Sequence, residues 1–199
     1  MYRSHLVVSL MVMCSAAGGF VAPPEQAGGD GEAAPPPPQT VERTIVRFAA
    51  DGTFEQTFDT VTVDQQQAEV AARTAFLAGR HGQTTADLAT LGIGGCAASD
   101  LWLFDNTSDT GNELCLFRHA ADDAAWLDLG TVCRGFLCLS TWSNAVRSLY
   151  SGADPGSLQS CTSSLCYTTP FVSFNAYQNI TSVGAGGTHP LNWAFLFQP

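Results

Sequence analysis

Between Asp100 and Tyr150 the apolar side chains come only in short runs, Leu101 to Phe104, Leu114 to Phe117, Trp126 to Leu129 and Phe136 to Leu139, parted by Asn, Asp, Gly and Ser. Runs this short, bounded by turn formers, predict packed antiparallel strands rather than amphipathic helices. The same stretch holds Cys115, Cys133 and Cys138 and the tryptophans Trp102, Trp126 and Trp142. The core is therefore expected here.

The amino terminus reads as an export signal. Arg3 and His5 precede an apolar run from Leu6 to Met13, and small residues follow from Ser15 to Gly19, so residues 1–17 are expected to be a cleaved leader. The run is about half the roughly 20 residues that a membrane span requires. An alternative processing route is lipidation at Cys14, with Met13 standing where a lipobox has a small residue. Residues 18–41 are Pro, Gly, Ala and acid with almost no aliphatic side chains, and Pro35 to Pro38 is a stiff polyproline run. Such a segment buries too little to offset its ordering, and a disordered linker is expected.

Residues 42–95 are expected to form a hairpin and a helix packed on the core. Ile45 to Phe48 and Thr53 to Phe58 flank Ala49-Ala50-Asp51-Gly52, and Asp-Gly between alternating runs is a hairpin signal. Asp64 with Gln67 forms a candidate capping box, and the helix that follows is expected to stop at Gly79, turning Val63, Val70, Phe76 and Leu77 inward. From His81 to Gly95 a loop is expected, with a helical turn near Asp87 to Leu91. Gly92, Gly94 and Gly95 lack the strand and helix that a dinucleotide fingerprint needs.

Setting Cys14 aside, six cysteines remain: Cys96, Cys115, Cys133, Cys138, Cys161 and Cys166. An even number in an exported chain predicts disulfides, drawn from fifteen connectivities. Four residues separate Cys133 from Cys138 and Cys161 from Cys166, which suggests two local bridges and leaves Cys96 for Cys115. A structural zinc site would want C-x-x-C knuckles, and the spacing lacks them.

Charge narrows the partners. The formal charge is −10, and all eight basic residues are arginine. A lysine-free acidic chain is poorly suited to neutralising phosphates, so neither nucleic acid nor an anionic membrane is an expected partner. Schiff-base and Walker-type lysine chemistry is excluded outright.

The residues from Leu101 to Asn106, a turn through Gly111, the runs near Leu114 and Trp126, and Trp142-Ser143-Asn144-Ala145-Val146-Arg147-Ser148-Leu149-Tyr150 resemble a Greek-key motif of the βγ-crystallin superfamily. The resemblance extends to the small secreted bacterial metalloprotease inhibitors of that fold. A fainter second copy would end in Tyr177 to Val183. Asp109 departs from the pattern where a second aromatic belongs, as do Ser143, Arg147, Tyr177 and Gln178 in the terminal turns. The resemblance covers about Asp100 to Val183 and implies a mainly β, Greek-key sandwich; the disulfide-bonded β domain is expected to span residues 96–199, with the hairpin and helix at its front. The implied ligand is calcium. Asn144 and Ser148 keep matching positions, as do Thr181 and Ser182, but carboxylates are too few for a tight site. A separate oxygen-rich loop, Asp105 to Glu113, makes Asp105 and Asp109 weak calcium candidates as well. It has Thr110 where a calcium loop turns on glycine.

No catalytic constellation is legible. His81, His119 and His189 have no G-x-S-x-G elbow or H-E-x-x-H helix beside them, and a pairing of His119 with Asp122 or Asp123 is more simply a surface turn. The aromatics Trp102, Trp126, Trp142, Trp193, Tyr150, Tyr167 and Tyr177 are expected mostly in the core, with any exposed ones able to stack on a glycan or a protein. The sequence thus points to an exported, non-enzymatic binding or structural module whose partner is an extracellular protein or glycan. The alternatives are a protease inhibitor presenting Thr162 to Leu165 between Cys161 and Cys166, and a hydrolase whose site the sequence hides.

Overall fold

The computed structural model describes residues 36–79, 94–120, 125–162, 166, 171–184 and 191–196. The leader, most of the linker and the loop after the helix lie outside these residues. The expected hairpin is present: β1 (Thr40–Phe48) pairs antiparallel with β2 (Phe54–Thr62), and Gly52 takes a φ of 79° at the turn. Asp51 braces that turn by accepting from the backbone N–H of Thr53 at 3.0 Å. β1 begins at Thr40, so Thr40 and Val41 belong to the sheet and not to the linker expected to run through residue 41.

Helix α1 (Val63–Ala78) follows β2 without a connecting loop. The capping box sits two residues before the expected Asp64 and Gln67: Thr62 accepts from the Gln65 N–H at 3.1 Å, and Gln65 returns an acceptor to the Thr62 N–H at 2.9 Å. The strand ends on a residue that is itself a good N-cap, and the helix starts there. Gly79 closes it, as expected.

The remaining strands are β3 (Leu101–Phe104), β4 (Glu113–Phe117), β5 (Ala125–Asp128), β6 (Ser148–Ser151), β7 (Gly156–Gln159), β8 (Val172–Phe174), β9 (Asn179–Ile180) and β10 (Trp193–Leu196). The fold is mainly β. Six strands form one sheet in the order β2-β1-β4-β3-β6-β9, and four form a second in the order β5-β10-β7-β8. All pairings are antiparallel except β1 with β4, which run parallel from Arg43↔Glu113 to Arg47↔Phe117. Residues 37–199 form one compact unit, so the hairpin and helix are part of the β domain rather than a piece in front of it.

Side-chain alternation places the cores. Val46, Leu101, Leu103, Leu114, Leu116 and Leu149 of the first sheet join Ala125, Leu127, Leu158, Phe174, Ala194 and Leu196 of the second in one buried cluster. The opposite face of the first sheet contributes Trp102, Phe104, Cys115 and Tyr150 to a second cluster with Cys96 and Ala97, against which Val70 and Leu77 of α1 pack. β3 is therefore covered on both sides. That is why Leu-Trp-Leu-Phe shows no polar alternation, and each such side chain stabilises by about 1.5–3 kcal/mol.

β3 to β6 and β7 to β10 are two quartets with one topology. In each the fourth strand lies beside the first, and the third crosses to the other sheet: β5 joins β10, and β9 joins β6. Matching hydrogen bonds mark the equivalence. Arg147 N donates to Phe104 O at 2.7 Å as Asn192 N donates to Gln159 O at 3.1 Å, and Val183 N donates to Arg147 O at 2.6 Å as Leu129 N donates to Asn192 O at 2.8 Å. The segment Tyr177 to Val183 surrounds β9, the third strand of the second quartet, so it does not end the second copy as the sequence suggested.

The disulfides join Cys96 to Cys115, Cys133 to Cys138 and Cys161 to Cys166. Phe136 to Leu139, expected as a strand, is instead a surface ring closed by the second bridge, with Phe136, Leu137 and Leu139 exposed by 77%, 72% and 87%. Gly135 and Cys138 take positive φ there, a turn conformation that a strand does not have and that glycine adopts without strain. Among the described residues no helix is long and apolar enough to cross a membrane.

Candidate binding surface

Charged groups are buried beneath α1, and their bonds show what they do. Glu113 is fully buried and accepts from Gln66 Nε2 at 2.8 Å and Trp102 Nε1 at 3.1 Å, besides pairing with Arg43. Arg43 reaches on to Glu69 at 3.0 Å, and Glu69 accepts from the Cys96 N–H at 3.1 Å. Burial pushes the Glu113 carboxyl up, and Arg43 and Gln66 pull it back. Arg73, also buried, donates to the carbonyls of Ala97 and Ser99 at 3.1 Å each and of Ser151 at 2.6 Å. Burial lowers its pKa to about 10.

These groups fasten the helix to the sheet. Cys96, Glu113 and Cys115 are the one group of three potential metal ligands among the described residues, but both sulfurs are bonded to each other and Glu113 is hydrogen-bonded as above. Sequence reasoning turned Val70, Phe76 and Leu77 inward, as found, but missed Gln66 and Arg73. Val63 is only partly buried.

The four calcium candidates do not converge. Asp105 accepts from the backbone N–H and the side-chain amide of Asn112 at 2.8 and 3.0 Å, with Arg134 at 3.5 Å. Gly111 has the positive φ its place in the hairpin requires, and a β-carbon there would strike Asp105. Asn144, with a φ of 57°, donates its N–H to Leu191 O and offers its carbonyl to Arg147. Ser148 does meet Asp109: its hydroxyl accepts from the Asp109 N–H at 3.0 Å and donates to Asn106 O at 2.6 Å, locking the β3–β4 turn against β6. Asp109 is 5% exposed, holds one oxygen on Asn179 Nδ2 at 2.9 Å and has no hydrogen-bond partner for the other among the described residues. Burial pushes its carboxyl up, while Asn179 and Ser148 pull it back.

His119 is exposed and lines a cavity of about 170 Å³ with Phe48, Ala49, Ala50, Gly52, Arg118 and Ala125. Arg118 is held between Asp100, at 3.5 Å, and Asp154. Asp122, Asp123, His81 and His189 lie outside the described residues, as do Ser163 to Leu165 of the expected inhibitory loop.

Aromatic side chains converge elsewhere, on the outer face of the four-stranded sheet. Trp126 is 67% exposed; its ring lies 6.0 Å from that of Phe195, which stacks at 5.9 Å on Trp193. Cross-strand register flanks Trp193 with Asp128 and Gln159, and Phe195 with Trp126 and Ser157. Phe48, Gly52, Trp126 and Trp193 line a cleft of about 450 Å³ that adjoins the His119 cavity through Phe48 and Gly52. The signal was present in the chain. In Ala-Trp-Leu-Asp and Trp-Ala-Phe-Leu the small and aliphatic residues alternate inward, which leaves Trp126, Asp128, Trp193 and Phe195 outside. No family model, curated protein or solved structure matches the chain.

Proposed function

We propose that this chain is an exported, non-catalytic binding module of βγ-crystallin-like, Greek-key architecture, and that it recognises its partner through the aromatic face of the four-stranded sheet. One observation carries the reading. The buried Glu113, Arg43 and Arg73 are engaged in fastening α1, whereas the solvent-facing side chains that gather at a cleft of useful size are aromatic. The architecture is supported by both quartets, in which the fourth strand returns beside the first as a Greek key requires. Export is supported by the leader-like amino terminus and three disulfides.

The test is binding of the full chain to extracellular and cell-surface material, compared with Trp126→Ala/Trp193→Ala. Loss of binding at an unchanged melting temperature supports the reading. Undiminished binding by the double variant, or release of a hydrolysis product, refutes it.

A second reading, protease inhibition, is favoured by the ring from Cys133 to Cys138. The ring is closed by a disulfide, tied back by the Arg134 N–H to Ser140 O at 2.8 Å, and exposes Phe136 and Leu137. A panel of extracellular endoproteases assayed with wild type and Leu137→Asp separates it from the first.

A further inference from the structure

We infer that the outer face of the four-stranded sheet binds an uncharged polysaccharide, with a sugar ring stacked on the exposed Trp126 beside Phe195 and Trp193. This rests on the reading that the face is the recognition surface, and it names the ligand class. A pyranose ring offers a face of C–H groups that packs on an aromatic ring and an equator of hydroxyls that needs hydrogen-bonding partners at the ring's edge. Trp126 is 67% exposed and its ring is tilted by 54° to that of Phe195 at 6.0 Å, while Phe195 and Trp193 stack on each other at 5.9 Å, so Trp126 offers the open ring face and the other two its apolar surround.

The edge groups are in place. Asp128 and Gln159 sit on opposite sides of Trp193; Ser157, beside Phe195, is buried, and the exposed hydroxyl beyond it is that of Ser173. Gln159 Nε2 donates to Ser157 Oγ at 2.9 Å, a bond that orients the amide and leaves its carbonyl oxygen outside it. Asp128 uses one carboxylate oxygen on the Gly130 N–H at 2.8 Å, and that bond fixes the direction of the other.

Charge selects among glycans. The strand residues on this face include no arginine, the chain has no lysine, Asp128 is acidic, and Arg118 of the adjoining cavity is ion-paired with Asp100 and Asp154, so a sulfated or uronic chain would meet repulsion. Nucleic-acid bases also stack on aromatics, but their phosphates require a cationic groove. An acyl chain would have no use for the flanking amide, carboxylate and hydroxyl groups. The open-sided cleft of about 450 Å³ between Trp126, Trp193, Phe48 and Gly52 gives a sugar a partly walled seat.

The experiment is native affinity electrophoresis of the full chain in gels containing a soluble neutral glucan, xyloglucan or mannan, with heparin and polygalacturonate as charged controls. Retardation by at least one neutral polymer, weakened at least tenfold by Trp126→Ala, with neither charged polymer binding, is the expected result. Trp126 is 67% exposed, so the variant should melt with wild type; Leu137→Ser, in the Cys133–Cys138 ring, should bind as wild type. Retardation by the polyanions, or neutral-polymer binding that survives Trp126→Ala, overturns the inference. If extracellular material is bound through Trp126 and Trp193 but every neutral polysaccharide is ignored, the ligand class is wrong and the binding surface stands. If the double variant still binds that material, both are wrong.

Discussion

Replacing Arg73 by methionine keeps the length of the side chain and deletes its donors. Three carbonyls, those of Ala97, Ser99 and Ser151, then lose a charged donor at 3.1, 3.1 and 2.6 Å in a site where Arg73 itself is 1% exposed. A buried carbonyl deprived of its partner costs about 1–3 kcal/mol. Three of them would cost at least about 3 kcal/mol, less the desolvation of the guanidinium that methionine avoids, so a net loss of about 2–4 kcal/mol is expected. Against a domain stability of about 5–15 kcal/mol this is a large fraction. Equilibrium urea unfolding followed by far-UV circular dichroism measures it, and Arg73→Lys, with fewer donors in a less suitable geometry, should fall between the two. The bonds join α1 to the 3-10 turn at Gly95–Ala98 and to β6, so amide exchange should accelerate first in α1. A loss below about 1 kcal/mol for Arg73→Met would mean that the carbonyls find water, and the argument that Arg73 clamps the helix would fail.

Asp109→Asn should leave stability at pH 7 unchanged or raised, because it removes a buried charge, keeps the geometry and suits a positive φ. The Asp109 carboxyl is pushed above its ordinary value, so the folded state binds the proton more tightly; wild type should gain on the variant as pH falls from neutrality to about 4, and urea unfolding at both pH values checks this. Breaking Cys96–Cys115 by a double alanine substitution should cost about 3 kcal/mol for a separation of 19 residues, and the denatured, unreduced exported chain should show no reactive thiol apart from any at Cys14. Calcium at about millimolar concentration should stabilise by no more than about 0.4 kcal/mol, as for a ligand near its Kd, whereas micromolar binding lost in Asn144→Ala would refute the account of that turn.

Local signals were read where local chemistry decides. The Asp51-Gly52 turn, the strands at Leu101 to Phe104 and Leu114 to Phe117, and the Gly79 helix stop depend on neighbours within a few residues. The parallel pairing of Arg43 with Glu113 spans 70 residues, and no periodicity reports it. The helical pattern carries no inward signal at Arg73, because its carbonyl partners lie across a connection that sequence alone does not fold back. Phe136 to Leu139 has the apolarity of a strand and was read as one, but a covalent ring overrides the pattern. The binding face was half legible. Trp126 and Trp193 are two of seven aromatics that the sequence places mostly in the core, nothing in it singles out Phe195, and the three become one surface only once β5 and β10 pair.

The most direct test of the aromatic face is tryptophan emission during titration of the full chain with a neutral polysaccharide. Trp102 and Trp142 are fully buried, so a ligand that stacks on the face should move the emission of the exposed Trp126 and the partly exposed Trp193 to shorter wavelength, saturably, and Trp126→Phe should diminish the shift. Saturable binding detected by calorimetry with no change in emission, or with the same change in Trp126→Phe, would contradict the account.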